Sequence, residues 1–316
     1  MDKTHVIPKR SLNYRFRRWL HTVVNNRWLY VLILPALIYI LLFNYLPMYG
    51  VQIAFKNYKA VKGIAGSAWV GFKHFNTFFS AYYFNRLITN TLVLNLLSLV
   101  FSFPIPILLA IVINNIKNQR LKKFTQTAIY VPHFISTVVL AGILYILLSP
   151  TNGIINYLIQ ALGGSSIYFM NEADWFRPIY IISGIWQGAG WASIMYTASL
   201  SNASKDLKEA AMIDGANLIQ QIMTVEWPAI KDMVVIQFIL QAGNIMSIGF
   251  EKAYALQTDL NLNTAEIIAT YVYKKGLLDG DYSFSTAVGL FNTIVNVILL
   301  IAVNKIVAKM NDGKGL

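Results

Sequence analysis

Apolar residues arrive in long blocks along this chain, and charges are confined to the gaps between them. No Asp, Glu, Lys or Arg occurs in residues 28–55, 87–116, 124–171, 178–204, 233–250 or 282–304. A helix needs about 20 mostly apolar residues to cross a hydrocarbon core roughly 30 Å thick. Each block holds one such helix, so the pattern predicts six spans, near 29–49, 88–113, 127–148, 178–200, 232–250 and 284–305. The 124–171 block has room for two, but Ser149-Pro150-Thr151-Asn152-Gly153 interrupts it and residues 154–162 are too few to cross. That remainder reads as an interfacial or re-entrant helix. The expected fold is all-α and integral to the membrane.

Composition strengthens this reading and redirects one inference. Charged residues make up 13% of the chain, against about 25% in a soluble domain. The net charge of +12 would suggest nucleic acid in a soluble protein. Here it lies in loops and tails, so the bilayer is the expected partner and nucleic acid is not. The absence of cysteine excludes a disulfide framework and a thiolate metal site, and no metal site is expected. Most of the 26 Lys and Arg fall on the two tails and on the loops after spans 2 and 4, which puts both termini in the cytoplasm. Lys56, Lys59, Lys62, Lys73 and Arg86 run against that rule, which is weakest in long translocated segments. Residues 1–27 form a basic tail, 28–305 the membrane domain and 306–316 a second cytoplasmic tail. Within the first tail, residues 15–20 suit either an amphipathic helix on the inner leaflet or a disordered anchor. The first apolar run is too long for a cleaved leader and is read as a retained helix. Trp28, Tyr30, Tyr45 and Tyr49 mark its headgroup belts.

Polar residues inside spans are costly and tend to face a bundle interior or a wet cavity. Stripes occur at helical spacing: Thr91, Asn95, Ser98 and Ser102 in span 2; Ser183, Gln187 and Gly190 beside Trp186 and Trp191 in span 4; Gln237, Gln241 and Asn244 in span 5; Ser285, Gly289, Asn292 and Asn296 in span 6. Amides such as Gln187, Gln241, Asn244 and Asn292 suit sugar hydroxyls, and Trp186 or Trp191 suits stacking on a sugar face. The same amides also serve as interhelical glue. The stripes are neutral, which leans against a highly anionic substrate. Pro104 and Pro106 predict a bend in span 2, as a widened pathway or a packing feature. His133 has no carboxylate in any span interior, so a structural hydrogen bond is expected of it. Glu251-Lys252 reads as the water boundary of span 5, with a gate-side ion pair as the alternative.

The loop at 201–231 carries the sharpest pattern. Ser204 suits an N-cap and Asp206 the positive first turn. Leu207, Ala210, Ala211 and Asp214 then share one face, and Gly215 suits a left-handed helix end. A second helical stretch leads through Val225-Glu226-Trp227-Pro228 into span 5. Two short helices at an angle are expected, exposing small residues and the carboxylate of Glu209. Such a face admits a partner's backbone and pairs with its Arg or Lys; an amphipathic linker lying on the membrane fits the spacing as well.

Glu209-Ala210-Ala211, then Gly215, Val225 and Pro228, resembles the signature of ABC importer permeases, with Trp227 where that signature has Leu. Leu46-Pro47-Met48-Tyr49-Gly50, Phe103-Pro104-Ile105-Pro106-Ile107, Tyr130-Val131-Pro132-His133-Phe134 and Thr286-Ala287-Val288-Gly289-Leu290-Phe291 look like the maltose-type carbohydrate class, in its complex oligo- and polysaccharide branch. The similarity runs from about Leu34 to Asn304. It implies a type I importer permease fold in a bacterial cell membrane. It further implies a second, related permease forming a heterodimer, two ATPase subunits that bind ATP and Mg, and an extracellular solute-binding lipoprotein. On this resemblance Glu209, Ala210, Ala211, Asp214, Gly215 and Pro228 form the ATPase-docking site. Trp186, Gln187, Trp191, Gln241, Asn244 and Asn292 are the candidate pathway for an oligosaccharide, moved by alternating access.

The chain has no Gly-Lys-Ser/Thr phosphate loop, no His-Glu-x-x-His and no Gly-x-Ser-x-Gly, so it is expected to be non-catalytic and to hold no cofactor. A secondary transporter would call for carboxylates in the spans or an inverted repeat, and neither is present. A permease of the same machinery carrying a non-sugar solute remains the alternative.

Overall fold

The structure is a computed structural model, and it describes residues 24–247 and 249–310. The basic tail, including residues 15–20, and the last residues of the C-terminal tail lie outside these described residues.

Span 1 is α1 (Arg27–Ile40), which continues through a π turn (Leu41–Tyr45) into a 3-10 turn (Tyr49–Phe55). None of α1 is buried. A helix that is apolar all round and uncovered by its own chain must be covered by lipid or another subunit. The following loop forms a small hairpin, β1 (Lys56–Asn57) against β2 (Ala68–Trp69), the one departure from the all-α expectation among the described residues. After α2 (Lys73–Phe79) comes span 2, made of α3 (Phe84–Phe101) and α4 (Pro104–Asn115). The break falls at Ser102-Phe103, and Pro104 opens α4, where its missing N–H costs little.

Span 3 differs from expectation. The single helix predicted over 127–148 is instead α5 (Gln119–Tyr130) with the 3-10 turn Val131–Phe134, then α6 (Thr137–Leu147), bent by 98°. Pro132 cannot donate to the ladder, and Ser136 caps α6 by accepting from the Val139 N–H, so the chain restarts in a new direction. The short helix expected after span 3, interfacial or re-entrant, is α7 (Ile154–Ala161). Asn156 is buried and fixes the end of α7: it donates to the Ser149 and Ile167 carbonyls and accepts from the Ile167 N–H.

Span 4 is α8 (Ala173–Ser201), 29 residues long. The loop region contains α9 (Lys205–Ile213) and α10 (Leu218–Gln221). Span 5 is α11 (Trp227–Gly243), preceded by a π turn at Ile222–Glu226. It begins five residues before the predicted 232 and stops well short of the predicted 250. The chain then folds back through α12 (Phe250–Leu256) and α13 (Ile268–Tyr273), burying Leu256, Ile267 and Ile268. Arg86 and Lys274 both pair with the buried Glu266 in this region. Span 6 is α14 (Tyr282–Met310), running past the predicted 305.

By length and apolarity, three helices among the described residues can cross a membrane: Arg27–Phe55, Phe84–Asn115 and Tyr282–Lys309, with the bent pair α5 and α6 as a fourth. The polar stripe of α8 and the 17-residue length of α11 keep those two helices from standing out on the same measure. α8 packs along α4 and α11, and α14 packs along α11. A Cβ on Gly190 would lie 2.0 Å from the Ile129 carbonyl oxygen, so α8 touches the end of α5 only because that position is bare. Gly190→Ala is therefore expected to lower the thermal midpoint of the purified chain, since overpacking costs ~1–3 kcal/mol. Gly142→Ala, where nothing lies within 4 Å, should leave the midpoint unchanged or raise it.

Candidate functional site: docking loop and polar groove

α9 begins as its sequence dictates. Ser204 accepts from the Leu207 N–H at 3.3 Å. Gly215 takes φ +80°, and the Ala216 N–H returns to the Ala211 carbonyl at 2.9 Å, so the helix closes with a left-handed cap. α10 starts with a reciprocal box between Asn217 and Gln220. The expected pair of short helices is present. Glu209, Ala210, Asp214 and Gly215 are exposed, Ala211 is half-buried and Pro228 is exposed in the first turn of α11. Leu207, Met212, Ile213, Leu218, Ile219 and Met223 are also exposed, so the segment that carries Glu209 leaves several large apolar side chains uncovered.

What holds these helices in place was not read from the sequence. Glu226 is 1% exposed. Lys208 donates to its Oε1 at 2.6 Å and to Asn115 Oδ1 at 2.8 Å. Asn114 donates to Oε1 at 3.0 Å, and Asn115 to both carboxylate oxygens at 3.0 Å. A buried carboxylate is tolerable only with its charge paired and its lone pairs used, and this one meets both conditions. The cluster ties α9, the C-terminal end of α4 and the entry to α11 into one body. Its signal was visible: a carboxylate between Val225 and Trp227, and the doublet Asn114-Asn115 at the end of span 2. The pairing between them spans more than 100 residues and is not a local pattern.

At the other end of α11, Gln241 and Asn244 line a cleft of about 380 Å³ with Asn95, Ser98, Tyr180 and Ser247. A second cleft of about 240 Å³ is lined by Gly184, Gly188, Met195, Gln237 and Gln241. Ser102 and Gln241 belong to both, so the two form one groove between spans 2, 4 and 5. The break in span 2 opens onto it. The other expected pathway residues lie elsewhere. Trp186 lines an almost entirely apolar cleft with Leu140, Ile155 and Trp175. Gln187 donates to the Ile135 carbonyl at 2.8 Å, joining α8 to the bend in span 3. Trp191 stacks on His133, centroids 4.5 Å apart and planes 5° apart. Asn292 lines a separate cleft with Phe250 and Tyr273 and approaches Ser247 at 3.4 Å. Glu251 and Lys252 do not pair; Lys252 donates to the Tyr180 carbonyl at 2.7 Å.

Comparison with known proteins places this architecture. Residues 102–312 match the family described as binding-protein-dependent transport system inner membrane component. The chain is 42% identical to Protein LplB of Bacillus subtilis over 94% of its own length and 93% of that protein's. It is 44% identical to the polygalacturonan/rhamnogalacturonan transport system permease protein YteP of the same organism, over 94% and 92%. Among solved structures, a chain of a bacterial ABC transporter involved in import of the acidic polysaccharide alginate superposes with a TM-score of 0.86 at 38% identity, covering 93% of this chain and 99% of that one. A second structure, of a bacterial alginate ABC transporter in complex with an alginate pentasaccharide-bound periplasmic protein, gives 0.86 at 37% identity, covering 95% and 100%. This chain is thus a multi-pass membrane permease, and it belongs to the family of binding-protein-dependent transport system inner membrane components.

Proposed function

We propose that the chain forms half of a translocation pathway for an oligosaccharide, completed by a second related permease and driven by two ATPase subunits docked on the Glu209 loop. Both termini then lie in the cytoplasm, and an extracellular solute-binding lipoprotein delivers the sugar. The observation that carries this reading is α11. Its first turn is clamped to the docking helix through Glu226 and Lys208, and its last turns contribute Gln237, Gln241 and Asn244 to the groove. One helix, about 26 Å long at 1.5 Å per residue, thus joins the docking surface to the polar groove. Closure of the ATPase pair would move α9, and the buried cluster would pass that motion to spans 2 and 5.

The groove supports a sugar by its chemistry: amides and hydroxyls that match hydroxyl groups, with the Tyr180 ring among them. The names of the relatives support the same class, since the solutes they print are polygalacturonan/rhamnogalacturonan and the acidic polysaccharide alginate. On this reading the roles of Gln187 and Trp191 are to position helices around the groove. ATP and Mg belong to the partner subunits, and this chain needs no cofactor.

The reading is tested in proteoliposomes holding both permeases and the ATPase subunits. Adding oligosaccharide-loaded binding protein should raise ATP hydrolysis several-fold and drive uptake of the sugar. Hydrolysis indifferent to the loaded protein would remove the importer mechanism. Stimulation by a binding protein loaded only with amino acid or phosphate would favour the non-sugar alternative.

A further inference from the structure

The neutral stripes read from the sequence omit one charged group at the groove. Lys252, in the first turn of α12, reaches back to α8. Its Nζ donates to the Tyr180 carbonyl at 2.7 Å and lies 4.7 Å from the centroid of the Tyr180 ring. A Cβ built on Gly184 would fall 3.0 Å from the same nitrogen. Tyr180 lines one cleft of the groove and Gly184 the other, so the ammonium lies against one lining residue of each. It is half-buried, and no carboxylate pairs with it among the described residues. An ammonium has three donors; the Tyr180 carbonyl takes one.

Neighbouring cations are spent differently. Arg86 and Lys274 share Glu266, and Lys275 pairs with Asp279. Arg177, one turn before Tyr180 on α8, resembles Lys252 in having only a neutral partner: it donates to Asn90 Oδ1 at 3.1 Å, and its Nε is buried without a partner. Two cations without a counter-charge among the described residues, Arg177 on α8 and Lys252 reaching α8 from α12, make a poor device for stability, because an uncompensated charge away from water is costly. They make a good one for an arriving anion, since hydrogen bonds from ammonium to carboxylate are roughly twice as strong as neutral ones.

We propose that Lys252 is a specificity-determining group that takes a carboxylate of the transported sugar, and that the substrate class is an acidic, uronate-containing oligosaccharide. This rests on the oligosaccharide reading and narrows it. The amides and hydroxyls of the groove hold ring hydroxyls, Lys252 holds the carboxylate, and Gly184 leaves room for the ammonium to turn from the Tyr180 carbonyl toward it.

The test measures binding of trigalacturonate and of its fully methyl-esterified form, equal in ring number, to the whole transporter in lipid nanodiscs. The native complex should bind the acid at least about tenfold more tightly than the ester. Lys252→Met should erase that preference and leave ester affinity unchanged, and Lys252→Arg should keep most of it. Gly184→Ala retains the charge but crowds the ammonium. It should weaken acid binding selectively, and it serves as the second variant if Lys252→Met does not assemble. Equal weakening of acid and ester by Lys252→Met would overturn the proposal, leaving Lys252 as a staple on Tyr180. A native complex that binds the ester as well as the acid would overturn it too, while sparing the oligosaccharide reading. Binding of neither sugar by a complex that still hydrolyses ATP would remove both.

Discussion

Glu209→Lys is expected to abolish uptake while the chain still inserts in the membrane at its normal level. Glu209 is exposed and makes no hydrogen bond or ion pair among the described residues, so its replacement removes nothing that holds the fold, and exposed substitutions of this kind cost within about 0.5 kcal/mol. The exposed Leu207, Met212, Ile213 and Ile219 on the same two short helices have the composition of an interface core, with a carboxylate left to fix register. Truncating one member of a desolvated charge pair at an interface costs ~2–5 kcal/mol, and reversing its sign adds repulsion. ATPase subunits should therefore fail to co-purify with the variant, and uptake should fall at least about tenfold. Glu209→Gln, which keeps the shape, should lie between. Uptake at the normal rate with Lys at this position would mean that the loop is not where energy enters.

Much of this was legible from one dimension. Charge-free blocks located the three helices long and apolar enough to cross a bilayer, and the bent pair α5 and α6, because the bilayer forbids charges over a length any helix must exceed. Ser204 and Gly215 fixed the ends of α9 because caps are local chemistry. What the sequence hid was long-range or directional. Pro104 and Pro132 look alike in the chain, yet one opens the second half of a continuous span and the other ends a helix at a 98° bend. The difference is Ser136, which caps a new helix, and the bare Gly190 that brings α8 against Ile129. The polar stripes could not separate Gln187 from Gln241, which are indistinguishable until neighbours are placed: the first finds the Ile135 carbonyl, the second an open cleft. Lys252 read as a water boundary because nothing local shows that α12 folds back onto Tyr180.

Breaking the buried cluster should separate stability from coupling. Lys208→Met leaves the Glu226 carboxylate buried with only the two asparagine amides, and removing one member of such a pair typically costs ~3–5 kcal/mol. The variant should accumulate poorly or unfold at clearly lower temperature. Glu226→Ala should cost somewhat less, because the Lys208 side chain is 27% exposed and can turn its ammonium to water. Joint replacement by Lys208→Met and Glu226→Met removes both charges at once. Swaps of that kind are often neutral or stabilising, although Asn114 and Asn115 lose acceptors here, so the double variant should recover most of the stability lost by Lys208→Met. Its uptake is the informative measurement. If the cluster is the rigid joint between α9 and α11, replacing directional bonds of 2.6–3.0 Å by apolar contact loosens that joint. ATP hydrolysis should then persist with weakened dependence on the loaded binding protein, and sugar transported per ATP should drop. A double variant with restored stability and undiminished transport per ATP would show the pair to be a fastening for the loop and nothing more, and the path of motion from docking surface to groove would have to run through the apolar contacts of Ile107, Leu200 and Ile230 instead.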